Sequence, residues 1–235
     1  MLSLSELQLA IEYQCLANLN LYDSPKCDRL ATQAATNRHL TILALPLHLE
    51  GDRAIRVQLC EDDYPGWLSI EDARHLQLAA TPYVAPSLSA IEIQAKIPEA
   101  IAFTQRAMAE HEYYLWGGTV GPNYDCSGLM QAAFASVGVR LPRDAYQQEA
   151  FTQPISPDGL QAGDLIFFGT PEKATHVGLS LGDGRYIHSS GVEQGRNGIG
   201  IDVLSAAGDE VSRAYYRELR GAGRVVSSYR PQGSH

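Results

Sequence analysis

The chain has 235 residues, and 18 Lys+Arg against 27 Asp+Glu give it a formal charge of −9. With 45% hydrophobic and 19% charged residues it is globular rather than disordered, and long enough for one large domain or two modest ones. The acidic balance without a Lys/Arg-rich block argues against nucleic acid or membrane as partner, and no apolar run nears the ~20 residues of a membrane helix. Met1-Leu-Ser-Leu-Ser-Glu6 lacks both a basic region and a small-residue cleavage site, so the expected location is cytoplasmic.

The first eighty residues hold short apolar runs broken by turn residues: Tyr13-Gln-Cys-Leu16, Leu19-Asn-Leu-Tyr22, Leu40–Leu45, Ala54–Leu59 and Trp67-Leu-Ser-Ile70. Strands at this spacing predict a small β-barrel over 1–80. Thr81-Pro-Tyr-Val-Ala-Pro86 opens a linker over 81–97, and a second domain is expected over 98–235. Pro98-Glu99 suits the first turn of a helix whose face carries Ala100, Phe103, Ala107, Met108 and His111, closed by Gly117-Gly118. A second helix follows from Cys126, with Asp125 as N-cap and Gly138 just past its end. Strands at Asp164–Phe168, His176–Leu181 and Arg185–Ser189 complete an α+β order with an antiparallel sheet.

Four cysteines, Cys15, Cys27, Cys60 and Cys126, have no disulfide or metal-ligand spacing. The first three read as inert packed residues. Cys126 opens a helix, where unpaired N–H groups and the positive end of the dipole favour a thiolate. If Gly182-Asp-Gly184 is a three-residue loop, Gly178 faces His188, and His176 lies diagonally from His188 on the same sheet face, with Cβ atoms roughly 7 Å apart. A two- or four-residue loop would put the rings on opposite faces. Val177 and Leu179 then point into the core. Cys126, His176 and His188 together form a candidate nucleophile, base and orienting group. Spacing does not settle which histidine is the base.

The elements Tyr114-Leu-Trp-Gly-Gly118, Tyr124-Asp-Cys-Ser-Gly-Leu129, Leu141-Pro-Arg143, Gly163-Asp-Leu-Ile-Phe167, His176-Val-Gly178 and Gly184-Arg-Tyr-Ile-His188 resemble the NlpC family of bacterial cell-wall cysteine peptidases, over about residues 98–226. Residues 12–80 are similar to a bacterial Src-homology-3-like barrel. The resemblance implies a papain-like core with Cys126 as nucleophile, His176 as base and His188 as third residue. It implies hydrolysis of a γ-D-glutamyl–diamino acid amide in murein peptides, and the cytoplasmic recycling enzymes that require a free N-terminal L-alanine are the nearest in kind. Candidate substrate contacts are Tyr64, Tyr114, Asp125, Ser127 and Asp144. Asp125 is equally a plain N-cap, Asp144 a turn residue, and Tyr64 a loop tyrosine covering its own barrel. Ala145 stands where many relatives carry a hydroxyl.

The expected chemistry is acyl transfer through a thioester, with no metal or other cofactor and a murein peptide as the partner. The alternatives are a zinc-dependent amidase using the same three residues, and a nonenzymatic peptide-binding module. His39, His48, His75, His111 and His235 read as surface or core residues. Trp67 and Trp116 read as core aromatics, with Trp116 close enough to the site loop to shape it.

Overall fold

The computed structural model describes residues 6–45, 53–110 and 112–232, so His48, His111 and His235 lie outside it. In the N-terminal half, β1 (Glu12–Cys15), β2 (Leu19–Tyr22), β3 (Leu30–Ala34), β4 (His39–Ala44), β5 (Ala54–Leu59), β6 (Pro65–Ser69) and β7 (Leu76–Leu78) form one antiparallel sheet. Their order is β3-β2-β6-β5-β4-β1-β7. Alternating inward residues (Tyr13 and Cys15, Leu19 and Leu21, Leu40 and Ile42) meet in a common core. The strands β3 and β7 were not among the expected runs. β3 is a mixed run, Leu-Ala-Thr-Gln-Ala, and its outer edge lies against the second domain, where Thr119 N–H and Oγ1 donate to Gln33 Oε1 and the Gln33 carbonyl (3.0 and 2.9 Å). A sheet edge that would otherwise be open is covered in this way.

The first long helix, α1 (Ala90–Met108), begins eight residues before the expected start at Pro98, so residues 90–97 of the expected linker are helical. Ser89 caps it reciprocally with Glu92: Glu92 N–H donates to Ser89 Oγ (3.3 Å), and Ser89 N–H to Glu92 Oε2 (2.8 Å). Pro98 sits inside the helix at a cost of ~3 kcal/mol. Burial of Ile93 and Ile97 at ~1.5–3 kcal/mol each offsets it. The glycine pair does not close α1; its C-cap is Ala109, and Gly117-Gly118 belong to the turn before the short hairpin β8 (Thr119–Val120)–β9 (Asn123–Tyr124).

Helix α2 (Cys126–Ser136) has Asp125 as N-cap and Gly138, at φ +81°, just past its end, as expected. After α3 (Ala145–Phe151) come β10 (Gln153–Ile155), β11 (Leu165–Gly169), β12 (Ala174–Gly182), β13 (Arg185–Ser190), β14 (Gly198–Val203), α4 (Glu210–Arg217) and β15 (Leu219–Arg224). The six strands form an antiparallel sheet in the order β10-β15-β11-β12-β13-β14. Val177, Leu179 and Ile187 pack with α1 and α2. The other face carries a smaller cluster of Ile166, Phe168, Tyr186 and Tyr215, the last from α4.

The early helix start is testable. Replacing Ser89 with alanine should cost ~1 kcal/mol, or roughly 2–4 °C in melting temperature. A helix beginning at Pro98 would not respond.

Candidate active site

Helix α2 begins where it does because Asp125 satisfies the N–H groups around its first turn. Asp125 Oδ1 accepts from Gly128 N–H (2.7 Å) and Oδ2 from Gly117 N–H (2.9 Å). Gly128 has no room for a side chain, since a Cβ there would lie 1.9 Å from the Gly118 carbonyl oxygen. Cys126 is thereby fixed as the first residue of the helix. Its thiol is 6% exposed and within reach of the backbone N–H of Val177, the residue after His176.

The hairpin between β12 and β13 closes differently from expectation. Asp183 and Gly184, at φ +53° and +70°, form a two-residue turn, which alone would have sent the histidines to opposite faces. A bulge between Ser180 and Gly182 restores the register, so that Leu179 faces Ile187, and Gly178 lies against His188. His176 and His188 are therefore neighbours on one face, with His176 Nε2 and His188 Nδ1 2.7 Å apart and their rings at 86°. A Cβ on Gly178 would come within 2.7 Å of the Tyr186 ring and 3.4 Å of His188 Cβ, so this glycine makes room chiefly for Tyr186. The histidine face is not an open polar stripe. Tyr215 of α4 stacks on His176 at 4.4 Å, and both imidazoles are buried.

Burial sets the charge state. The helix N-terminus was expected to lower the Cys126 pKa, but burial pushes the thiol up to about 12, with Asp125 adding to the shift. The Val177 and Ser127 N–H groups and Arg143 oppose this without overcoming it. Burial, together with His188, holds His176 well below its usual value despite the pull of Asp202. Burial thus favours the neutral forms of both the thiol and the imidazole, against the thiolate that the helix start favours.

Two clefts meet at these residues. One, of about 270 Å³, is lined by Tyr64, Tyr114, Asp125, Cys126, Ser127 and Asp144, so it gathers every expected substrate contact around the nucleophile. The other, of about 520 Å³, is lined by His176 and Tyr215 with the loop Gly191–Gln194. Tyr114, Trp116 and Thr175 line both. Trp116 is not a core aromatic: it is 57% exposed, with the Arg29 guanidinium 5.3 Å from its ring centre. A separate cleft of about 390 Å³ between Arg38, Asp62, Phe103 and Gln131 contains none of the expected site residues.

Asp125 and Ser127 are already engaged. Arg143, 1% exposed, donates to both Asp125 oxygens (3.1 and 2.6 Å) and to Ser127 Oγ (2.9 Å), which itself donates to Asp125 Oδ1 (3.3 Å). Its Nε donates to Thr32 Oγ1 of β3 (2.9 Å). Asp144, read as a turn residue, is the N-cap of α3, and its N–H donates to Gln147 Oε1 (2.9 Å). Burial raises its pKa, aided by Asp125 and Asp62 and countered by Arg143 and Lys173. Tyr64 beside it is pushed up to about 12, by burial first and then by the Asp144 charge. The Tyr64 loop comes from the N-terminal sheet and is held by the second domain: Gln131 Nε2 donates to Asp62 Oδ2 (2.9 Å), and Tyr229 Oη to Asp63 Oδ2 (3.1 Å).

Asp202, Arg196 and Tyr215 were not anticipated. Asp202 Oδ2 is 2.7 Å from His188 Nε2, and Arg196 Nε donates to the same oxygen at 2.7 Å. Among the described residues no three of His, Cys, Asp and Glu are grouped to hold a metal, and the facing histidine nitrogens bond each other. Cys15 is buried, whereas Cys27 and Cys60 are only partly so.

Residues 111–218 match the NlpC/P60 family and residues 21–72 the bacterial dipeptidyl-peptidase SH3 domain. The chain carries an NlpC/P60 domain preceded by an SH3 domain of that kind. It is 44% identical over 85 residues to a bifunctional muramidase/DL-endopeptidase of Bacillus subtilis, covering 34% of this chain and 26% of that protein. It is 39% identical over 117 residues to a gamma-D-glutamyl-L-lysine dipeptidyl-peptidase of the same species, covering 48% and 36%. The chain thus spans about a quarter to a third of the length of these relatives. A solved NlpC/P60 family protein from Bacillus cereus aligns over 92% of this chain and 64% of its own, with a TM-score of 0.47 at 25% identity.

Two measurements follow from the charges. Alkylation of Cys126 by iodoacetamide, followed on its own peptide by mass spectrometry, should rise steadily from pH 7 to 10, because the neutral thiol must first lose its proton; a flat rate from pH 5 to 8 would reveal a preformed thiolate. Arg143→Met should cost ~3–5 kcal/mol in urea unfolding, since it strands the buried Asp125; a change below 1 kcal/mol would show that Asp125 is solvated.

Proposed function

We propose that the chain is a cysteine endopeptidase cutting the γ-D-glutamyl–diamino acid amide of murein peptides that carry a free N-terminal L-alanine. The observation that carries this reading is Cys126 at the start of α2, within reach of the N–H of Val177 next to His176, which bonds His188, in a cleft also lined by Asp144 and Tyr64. The dipeptidyl-peptidase relatives support the γ-D-glutamyl bond and an unblocked N-terminus.

The chemistry starts from the neutral forms that burial favours. As Cys126 sulfur attacks the γ-carbonyl, its proton passes to His176, and the oxyanion takes hydrogen bonds from N–H groups at the helix start, that of Cys126 included. The imidazolium gives that proton to the departing amine, leaving a thioester. His176 then takes a proton from water, which attacks the thioester, and returns it to sulfur as the acid leaves. The nucleophile faces the cleft of Asp144, and the proton donor faces the cleft of the 191–194 loop. The acyl dipeptide therefore occupies the first cleft and the leaving amino acid the second.

Asp144, not the saturated Asp125, is the ammonium's counter-charge. Burial raises its pKa, and an ammonium bound beside it offsets the desolvation cost of its charge. With Tyr64 and Asp144 lining the cleft beside Cys126 and the ammonium held there, the substrates in this reading are free peptides and not intact wall strands. Action on such peptides in the cytoplasm is part of the same proposal; fractionation of producing cells tests it, and secretion of the protein would contradict it.

Incubation with L-alanyl-γ-D-glutamyl-L-lysine should release the dipeptide and lysine, and Cys126→Ala should abolish this with folding intact. Acetylating the substrate N-terminus should lower kcat/KM by ~10–100-fold, the worth of a charged hydrogen bond at ~1.5–3 kcal/mol. The sign of the pH effect is fixed: below the raised Asp144 pKa the carboxyl is protonated and the ammonium loses its partner, so KM rises as pH falls. Equal cleavage of both peptides would remove the ammonium site, and hydrolysis by Cys126→Ala would remove the peptidase mechanism.

A further inference from the structure

Beyond the cysteine and two histidines the structure holds a chain of contacts that the mechanism above does not use. His176 on β12, His188 on β13 and Asp202 on β14 run diagonally across three adjacent strands. His188 faces Gly200, so Asp202, two residues on, shares its side of the sheet. Asp202 is 3% exposed, and its two oxygens receive His188 Nε2, Arg196 Nε and Nη, and Ser212 Oγ. Arg196 lies in the 191–197 loop, whose first part lines the leaving-group cleft. It reaches Asp202 by passing over Gly200, where a Cβ would fall 2.7–2.9 Å from its Cδ, Nε and Nη1.

We propose that Asp202 is a positioning residue that fixes the proton arrangement of both histidines, and that Arg196, admitted by Gly200, holds Asp202 in place for this task. The inference rests on the peptidase reading above. An ionised carboxylate only accepts, so the proton of His188 must sit on Nε2. His188 Nδ1 is then an acceptor, and the hydrogen bond between the rings requires the proton of His176 on Nε2. That leaves His176 Nδ1 with a free lone pair as the atom that takes the Cys126 proton. Hydrogen bonds from His188 and Arg196 hold Asp202 ionised against its burial. When His176 becomes imidazolium, the negative charge two strands away stabilises it. Tyr215 stacked on His176 and Tyr186 beside His188 keep both rings from turning. Among the described residues Asp209, the N-cap of α4, is a further charged group within the field of Asp202.

The test compares wild type, Asp202→Asn, Gly200→Ala and Cys126→Ala as full-length proteins cutting L-alanyl-γ-D-glutamyl-L-lysine, with kcat and KM followed over pH and folding by thermal melting. Asparagine keeps the shape and an acceptor but removes the charge. Asp202 favours the protonated form of His176, so its loss must move the acid limb of kcat to lower pH. Expected is a fall in kcat of ~10²–10³, the scale of general-base catalysis, with KM unchanged and the acid limb displaced downward. Gly200→Ala, which displaces Arg196 and touches neither substrate cleft, should lower kcat in the same direction by a smaller factor. A wild-type profile for Asp202→Asn, or a loss equal at every pH with the limb in place, overturns the proposal while an inactive Cys126→Ala leaves the peptidase standing. Full activity of Cys126→Ala overturns the peptidase reading and the proposal together.

Discussion

Among the described residues Arg143 is the largest side chain buried completely, and the site is organised around it. A guanidinium at 1% exposure must find partners for its donors or destabilise the fold by several kcal/mol. It finds them on three separate segments: the Asp125 carboxylate that starts α2, the Ser127 hydroxyl one residue past the nucleophile, and Thr32 with the Ala31 carbonyl on the N-terminal sheet. One cation thus ties the position of Cys126 to the wall that carries Tyr64. The domains do not merely touch, because the chemistry of one is assembled on the other. The Asp62–Asp63 loop, held by Gln131 and Tyr229, repeats this tie from the opposite side.

The second governing feature is dryness. A nucleophile at a helix start gains from the dipole ~0.3–1 kcal/mol at ordinary sites. Desolvation of a charge at a buried position exceeds that and favours the neutral sulfur and imidazole. In the proposed mechanism the proton therefore moves on attack, and the buried carboxylate of Asp202, bonded to His188, supports the resulting imidazolium.

The local features were legible in the sequence, and the tertiary ones were not. Asp125 as a cap, Cys126 as first residue and Gly138 as terminator follow from adjacent residues. His176 and His188 do share a face, although the register comes from a two-residue turn plus a bulge instead of a three-residue loop, a difference that residue types at Gly182-Asp-Gly184 cannot express. Alternation in Gly198-Ile-Gly-Ile-Asp-Val203 is the signal that would have placed Asp202 beside His188, one strand further than the hairpin extends. The partner of Arg143 on β3 lies 111 residues away and has no local trace. The start of α1 lies ahead of Pro98 because the capping pair Ser89 and Glu92 and the inward row of Ile93, Ile97 and Ala100 outweigh the proline. Trp116 was placed inside by residue type, whereas cleft walls expose such side chains.

The central claim is that the acyl group passes through the sulfur at the head of α2. Rapid acid quenching during turnover of an L-alanyl-γ-D-glutamyl substrate, followed by peptide mass spectrometry, reads this directly. The account predicts a dipeptidyl thioester on the Cys126 peptide that forms and decays with turnover and is cleared by hydroxylamine. Continuing hydrolysis with that peptide unmodified, or an adduct on another side chain, would contradict it.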